Sequence, residues 1–274
     1  MLKTPGWEMM IVWYFFLGGI AGGAYFTAAI ADNFGGPSAR RVARTGYLLS
    51  LPLVALCGAL LIADLGVPLR FLNMMRVFKF WDPMSIGAWA VGVFGLFTLV
   101  SSVLSFSTSE SRIALRRKIG LVGMLFGFFL ASYTGVLLST TALPFWSQAR
   151  LMGALFLASG ASTGMAAISL ILVLTGGRPA EGLGAVKRAD RYSIIIELGM
   201  LALFLALLGS AAQPITTGHF ALLFWAGLVG LGLLVPLVLD FAVHGVRAVS
   251  AVTAVLVLAG GFVLRYVVLM SIQG

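Results

Sequence analysis

Apolar runs, each long enough to cross a bilayer at about 20 residues, recur along the whole chain and are separated by short polar stretches. They fall near residues 8–31, 45–66, 83–106, 118–142, 147–174, 192–213, 219–240 and 247–270. Continuous runs of this length predict eight transmembrane helices and an all-α integral membrane protein. One lysine precedes the first run and no polar cleavage region follows it, so the run reads as a span rather than a signal, and no soluble domain is expected. Between the second and third runs the stretch PLRFLNMMRVFKFW places Arg70, Asn73, Arg76 and Lys79 three residues apart. Leu69, Leu72, Met75, Phe78 and Trp81 line another side. This spacing predicts an amphipathic helix lying in the membrane interface, as a lipid-facing element, a basic lid or a dock for a peripheral protein. Asp82 is then placed to cap the third span, with Pro83 at its first helical position.

Composition sharpens the picture without changing it: of 274 residues 60% are hydrophobic and 10% charged. The net charge of +9 raises the question of nucleic acid, but the placement of the cations answers it. With an even number of spans, both termini and the loops after the second, fourth and sixth spans share one side. That side carries six basic residues: Lys3, Arg70, Arg76, Lys79, Arg150 and Arg265. The other side carries twelve, at 40, 41, 44, 112, 116, 117, 118, 178, 187, 188, 191 and 247. By the positive-inside rule the twelve face the cytoplasm and both termini lie outside. The basic excess therefore reads as topology, and no nucleic-acid partner is expected.

Redox chemistry within the chain has few footholds. The single cysteine, Cys57, lies in a span and cannot supply the four thiolates of an iron–sulfur cluster. His219 and His244 stand at opposite ends of the seventh span, about 37 Å apart, so they cannot share a haem. No metal or bound cofactor is expected, and any electrons are handled at the surface. A weak internal echo divides the chain. PGW at 5–7 and PFW at 144–146 open the first and fifth spans, and the small residues of 18–24 fall over LASGAST at 157–163. That predicts two four-helix bundles, 1–142 and 143–274, in a parallel repeat, unlike the inverted repeats of many transporters.

The first span also contains YFFLGGIAGGAYF, in which Gly18 and Gly22, and Gly19 and Gly23, are each four apart. Such a stripe serves either close helix packing or a flat ligand, and spacing alone leaves both open. Ionisable and hydroxyl groups inside spans are the other candidates. Asp64, near the outer end of the second span, either reaches water and Arg70 or exchanges protons. Tyr133 sits a turn or two deeper than the interfacial aromatic belt, bonding a carbonyl or a ligand. Tyr14 reads as a belt residue. Glu197 opens the sixth span and either snorkels to Arg191 or belongs to a proton path. Arg265 reads as an interface anchor or a partner for a carboxylate. Tyr14, Asp64 and Tyr133 come from three helices, yet all fall on the outer side.

The segments YFFLGGIAGG, ADLGVPLRF, DPMSIGAW and YTGVLLSTTALPFW resemble recurring stretches of the NrfD-like membrane subunits, the family of the polysulfide reductase anchor. The likeness is specific over the first four spans. It implies a membrane subunit of a respiratory complex in a prokaryotic cytoplasmic membrane, oxidising or reducing menaquinone or ubiquinone at the outer face. Electrons would pass to or from a ferredoxin-like [4Fe–4S] subunit, which serves a molybdopterin-type or similar catalytic subunit. On this resemblance Asp64 and Tyr133 are the catalytic candidates. Tyr14, Gly18, Gly22, Arg70 and Trp89 are the quinone-binding ones, and Glu197 is a candidate for a proton path. The family's anchor has a His at the place of Tyr14 and an Asn at the place of Ile11, and a Tyr is the poorer base. A proton-coupled transporter and a purely structural anchor are the alternatives.

Overall fold

The computed structural model describes residues 9–65, 67, 71–141, 144–176, 182–243 and 246–272. The regular structure of these residues is all helical, with no strand among them. Eight helices are long and apolar enough to cross a membrane. They are α1 (Met9–Phe34), α2 (Arg40–Asp64), α3 (Pro83–Leu104) and α4 (Glu110–Ser139). The second four are α5 (Met152–Thr175), α6 (Leu183–Leu208), α7 (Leu223–Ala242) and α8 (Arg247–Met270). The chain is a multi-pass membrane protein. Eight successive spans place the start of α1 and the ends of α2, α4, α6 and α8 on one face, the terminal face. The connections after α1, α3, α5 and α7 form the opposite loop face.

Three helices begin well before the hydropathy runs that announced them. α2, α4 and α6 open on Arg40, Arg41 and Arg44, on Arg112, Arg116, Arg117 and Lys118, and on Lys187, Arg188 and Arg191. Arg and Lys are good helix formers whose stems can lie along apolar surface while the heads reach water. The polar flanks are therefore helix, not loop. At α3 the expected cap is present: Asp82 accepts from the Met84 amide at 3.1 Å and Pro83 takes the first position.

The amphipathic segment differs from expectation. Among its described residues only Phe71–Arg76 is helical. The following Val77, Phe78, Phe80 and Trp81 are poor helix formers, and two bonds fold them onto the start of α3: the Lys79 amide donates to Ser85 Oγ and the Asp82 amide to the Lys79 carbonyl. Their side chains stay exposed, Phe80 and Trp81 each by about 70%. The seventh span differs too. Leu223–Leu234 is a π-helix, with α-helical turns only from Val235 to Ala242. Within it Gly232 approaches Gly260 of α8 so closely that a Cβ on either would meet the other's backbone.

α1 and α5 form the centre. α1 packs on α2, α4 and α5, while α5 packs on α4, α6 and α8. α3 bridges α2 and α4, and α7 leans chiefly on α8. The glycines of α1 account for its position. Gly18 faces the Cys57 thiol of α2, and Gly22 receives the Gly127 backbone of α4. Gly19 lies beneath the Arg265 guanidinium of α8, and Gly23 abuts the Gly160 carbonyl and Gly164 of α5. The stripe thus serves four neighbouring helices rather than one flat face. Without side chains in the way, backbones approach and gain van der Waals contact that lipid cannot supply.

Candidate quinone site and a buried polar file

On the terminal face the start of α3 is tied to α4 by one side chain. Tyr133 sits less than two turns from the end of α4 and donates a short hydrogen bond to the Pro83 carbonyl. A carbonyl oxygen has two lone pairs, so the Pro83 carbonyl can accept from the phenol besides any bond within its own helix. Gly87, one turn on, admits the phenol: a Cβ there would come within 2.6 Å of the Tyr133 hydroxyl. Phe129 stacks on the Tyr133 ring at 5.3 Å. The capping Asp82 is an ionisable neighbour of Tyr133.

Tyr14 is not a belt residue. Its side chain is buried in the seam of α1, beside Phe15 and within electrostatic reach of Cys57. The Cys57 thiol donates to the Tyr14 carbonyl at 3.7 Å. Exposed to the membrane instead is Trp13, half-covered by Phe262. Tyr14 is thus tied to Cys57 of α2, and Tyr133 to Pro83 at the start of α3.

The other candidates divide. Asp64 is the last residue of α2, exposed on the terminal face. Gly18 lies one turn below Tyr14 and Gly22 two turns below, both covered by neighbouring helices. Trp89 is two residues beyond Gly87, about 200° round α3, so it faces away from Tyr133. Its ring meets Phe78 at 5.9 Å, and its buried indole N–H has no partner among the described residues. Arg70 and His244 lie outside the described residues. Among the described residues no three His, Cys, Asp or Glu side chains stand close enough to hold a metal ion.

For Glu197 and Arg265 the structure overturns the interfacial reading of each. Because α6 starts at Leu183, Glu197 lies near the middle of the helix rather than at its mouth. It is buried and accepts from Ser162 of α5 at 2.6 Å. Arg191, its expected partner, pairs instead with Asp240 of α7 at 2.7 Å. Arg265 is no interface anchor but fully buried, donating to Ser159 Oγ at 2.7 Å and to the Gly261 carbonyl at 2.8 Å. Its charge stands over the Phe156 ring at 5.2 Å.

A second ion pair went unmarked in the sequence. Arg116 of α4 grips Asp32 of α1 through two bonds of 2.7 and 2.6 Å, both side chains buried. Asp32 falls just past the first apolar run and Arg116 just before the fourth, so each read as a polar flank. The only signal was their opposite charge at matching ends of antiparallel spans. Nearby, Tyr25 and Ser101 hydroxyls bond at 2.7 Å, and Tyr25 and Tyr47 rings meet edge to face.

An all-helical multi-pass membrane protein with polar groups gathered at its terminal face is a class with many members. Residues 3–273 match the family described as "Polysulphide reductase, NrfD", and the chain belongs to that family. It is 31% identical to the C subunit of polysulfide reductase from Wolinella succinogenes, over 99% of this protein and 95% of that one. It is 27% identical to the Protein NrfD homolog of Haemophilus influenzae, covering 98% and 96% of the two proteins. Protein NrfD of Escherichia coli K12 is also 27% identical, over 97% and 95%.

Proposed function

We propose that this chain is the quinone-reacting membrane subunit of a respiratory oxidoreductase, with its site on the terminal face, which lies outside the cytoplasmic membrane. The reading is carried by one observation: the buried Tyr133 phenol of α4 bonds the Pro83 carbonyl at the capped start of α3, on the face where Tyr14 of α1 is also buried. Similarity to the C subunit of polysulfide reductase supports it. A neutral quinone offers only acceptor oxygens, whereas a quinol also donates, and a phenol can meet either. While Tyr133 donates to Pro83, its oxygen accepts from a quinol hydroxyl; rotation off the carbonyl makes it a donor to a quinone. Asp64, at the water-exposed end of α2, exchanges the protons that accompany the two electrons. The site belongs to the half of the chain formed by residues 1–142, and 143–274 forms the second four-helix half. Electrons pass through a docked [4Fe–4S] subunit to a molybdopterin-type catalytic subunit, and the exposed Phe78, Phe80 and Trp81 beside Arg76 and Lys79 form the dock.

The test follows quinol oxidation and quinone reduction by the purified complex. Tyr133→Phe removes one hydroxyl at nearly constant volume, and a lost hydrogen bond of about 0.5–1.5 kcal/mol weakens quinone binding several-fold. Asp64→Asn removes the proton acceptor, so turnover falls by about 10²–10⁴ while binding changes little. Co-purification of the iron–sulfur partner establishes assembly. Parental turnover in both assembled variants would show that the reaction happens elsewhere.

A further inference from the structure

The loop face of the first half carries arginines that the terminal-face site does not use. α2 and α4 both start on this face, and α1 and α3 each pack against both of them. Tyr47 of α2 reaches across to Gly120 of α4, where a Cβ would collide with its hydroxyl. Arg44 stands three residues before Tyr47 and Arg117 three residues before Gly120. Arg40 and Arg112 lie about one turn further out, each on the same helix face as the residue four later. Four cations therefore come from two helices at matching depths around the Tyr47–Gly120 contact. Beneath them lies the buried pair in which Arg116 takes both oxygens of Asp32. Glu110 is the one other acid among the described residues at this end of α1 to α4. It is exposed, about 200° round α4 from Arg112.

Topology explains why cations gather on this face but not how each is held. In the second half Lys187 and Arg191 pair with Asp240, and Arg247 bonds the Gly176 carbonyl. Arg41 likewise donates to the Thr175 carbonyl. Arg40, Arg44 and Arg112, by contrast, are exposed and have no acceptor among the described residues. Arg117 lies 3.8 Å from an Asp32 oxygen that Arg116 already holds, and its buried Nε has no hydrogen-bond partner among the described residues. Arg44 is nevertheless fixed, with its guanidinium 4.5 Å over the Phe106 ring. A guanidinium set over an aromatic face keeps its N–H fork free for a bidentate oxyanion such as phosphate.

Phe106 also indicates what carries the phosphate. Leu96, Leu99 and Val103 of α3 and Phe106 just past it are all exposed, and they are spaced three and four apart on one side. The stripe runs about 15 Å inward from the arginines, half of a hydrocarbon core about 30 Å thick. That is the depth of one leaflet. We infer that this cluster binds an anionic phospholipid, its phosphate held by Arg40, Arg44 and Arg112 and one acyl chain lying on the Leu96–Phe106 stripe. Arg117 adds a fourth positive charge beside the phosphate. The Asp32–Arg116 pair contributes no net charge but ties α1 to α4, so the cluster is formed before the lipid arrives. A zwitterionic lipid brings its own ammonium among the same cations and binds more weakly. The site needs no quinone and lies at the opposite end of the first half from Tyr133.

Native mass spectrometry of the purified full chain, stripped of lipid in a neutral detergent, tests the site. Two added lipids with the same acyl chains, phosphatidylglycerol and phosphatidylcholine, are compared. The parental chain prefers phosphatidylglycerol, and the preference shrinks as salt rises. Arg44→Gln and Arg112→Gln each lower the affinity for phosphatidylglycerol about fivefold, the scale of one basic residue at an anionic membrane surface. Arg188→Gln removes an exposed loop-face cation of α6 instead and leaves that affinity unchanged. A second measurement needs no variant: phosphatidylglycerol raises the melting temperature of the parental chain and phosphatidylcholine does not. Four results would each overturn the site. They are equal parental affinity for the two lipids, parental affinity in either Arg44→Gln or Arg112→Gln, the same loss in Arg188→Gln, and displacement of the lipid by inorganic phosphate at equal concentration. None of these measurements reads quinone turnover, so the terminal-face site stands or falls separately.

Discussion

A methyl group on Gly23 would run into the carbonyl of Gly160, backbone against backbone, with no flexible side chain to give way. A methyl on Gly95 of α3 would meet nothing within 4 Å. The two glycines therefore predict opposite outcomes. Gly23→Ala forces α1 and α5 apart and costs about 1–3 kcal/mol, the usual range for overpacking. Gly95→Ala is neutral or stabilising, by up to about 1 kcal/mol, because alanine is the better helix former. Thermal unfolding of the two variants in the same detergent checks the contrast; equal melting temperatures would remove the seam from the account. The spacing of the α1 glycines was legible in the sequence, but not the fact that each serves a different helix, since spacing cannot say who comes close. Tyr14 was misjudged for a related reason. A tyrosine near a span end fits the aromatic belt equally well whichever way it faces, and only packing turned Tyr14 inward and Trp13 outward.

At the scale of the helices, apolar run length was enough to number the spans, and polar flanks were where it erred. α6 begins nine residues earlier than its hydropathy run, which moves Glu197 from the mouth of the helix to its middle. The π-helical stretch of α7 left no trace in composition, because glycine and leucine suit either winding. The cations that lengthen α2, α4 and α6 all gather on the loop face, and this sets a prediction for orientation. A reporter fused after Gly274 is expected to be active outside the cytoplasmic membrane, and one inserted near Ser109 inside it. The reverse pattern would put the Tyr14–Tyr133 site on the cytoplasmic side and overturn the placement of its electron partner.

For the molecule as a whole, the two segments that echo each other in the sequence, around 18–24 and 157–163, lie in the two helices that meet at its centre, α1 and α5. The echo was visible as small residues; the reason for them was not, because it depends on what each helix must approach. The candidate site was legible in part. Tyr133 stood out by its depth, whereas Asp82 read only as a cap and Cys57 only as a lone thiol. For cofactors, the whole complex is expected to carry its iron in co-purifying subunits, and the isolated chain to show no haem absorption. A Soret band retained by the isolated chain and lost in His219→Ala or His244→Ala would contradict this.

The contact of α1 with α5 through Gly23, Gly160 and Gly164 has a consequence for temperature. Its atoms exchange lipid neighbours for protein neighbours, and no apolar surface leaves water when it forms. The large heat-capacity change that curves the stability of water-soluble proteins comes from hydrating apolar surface. This seam contributes next to none. Its strength holds steady on cooling, where a core built by water's aversion to hydrocarbon weakens.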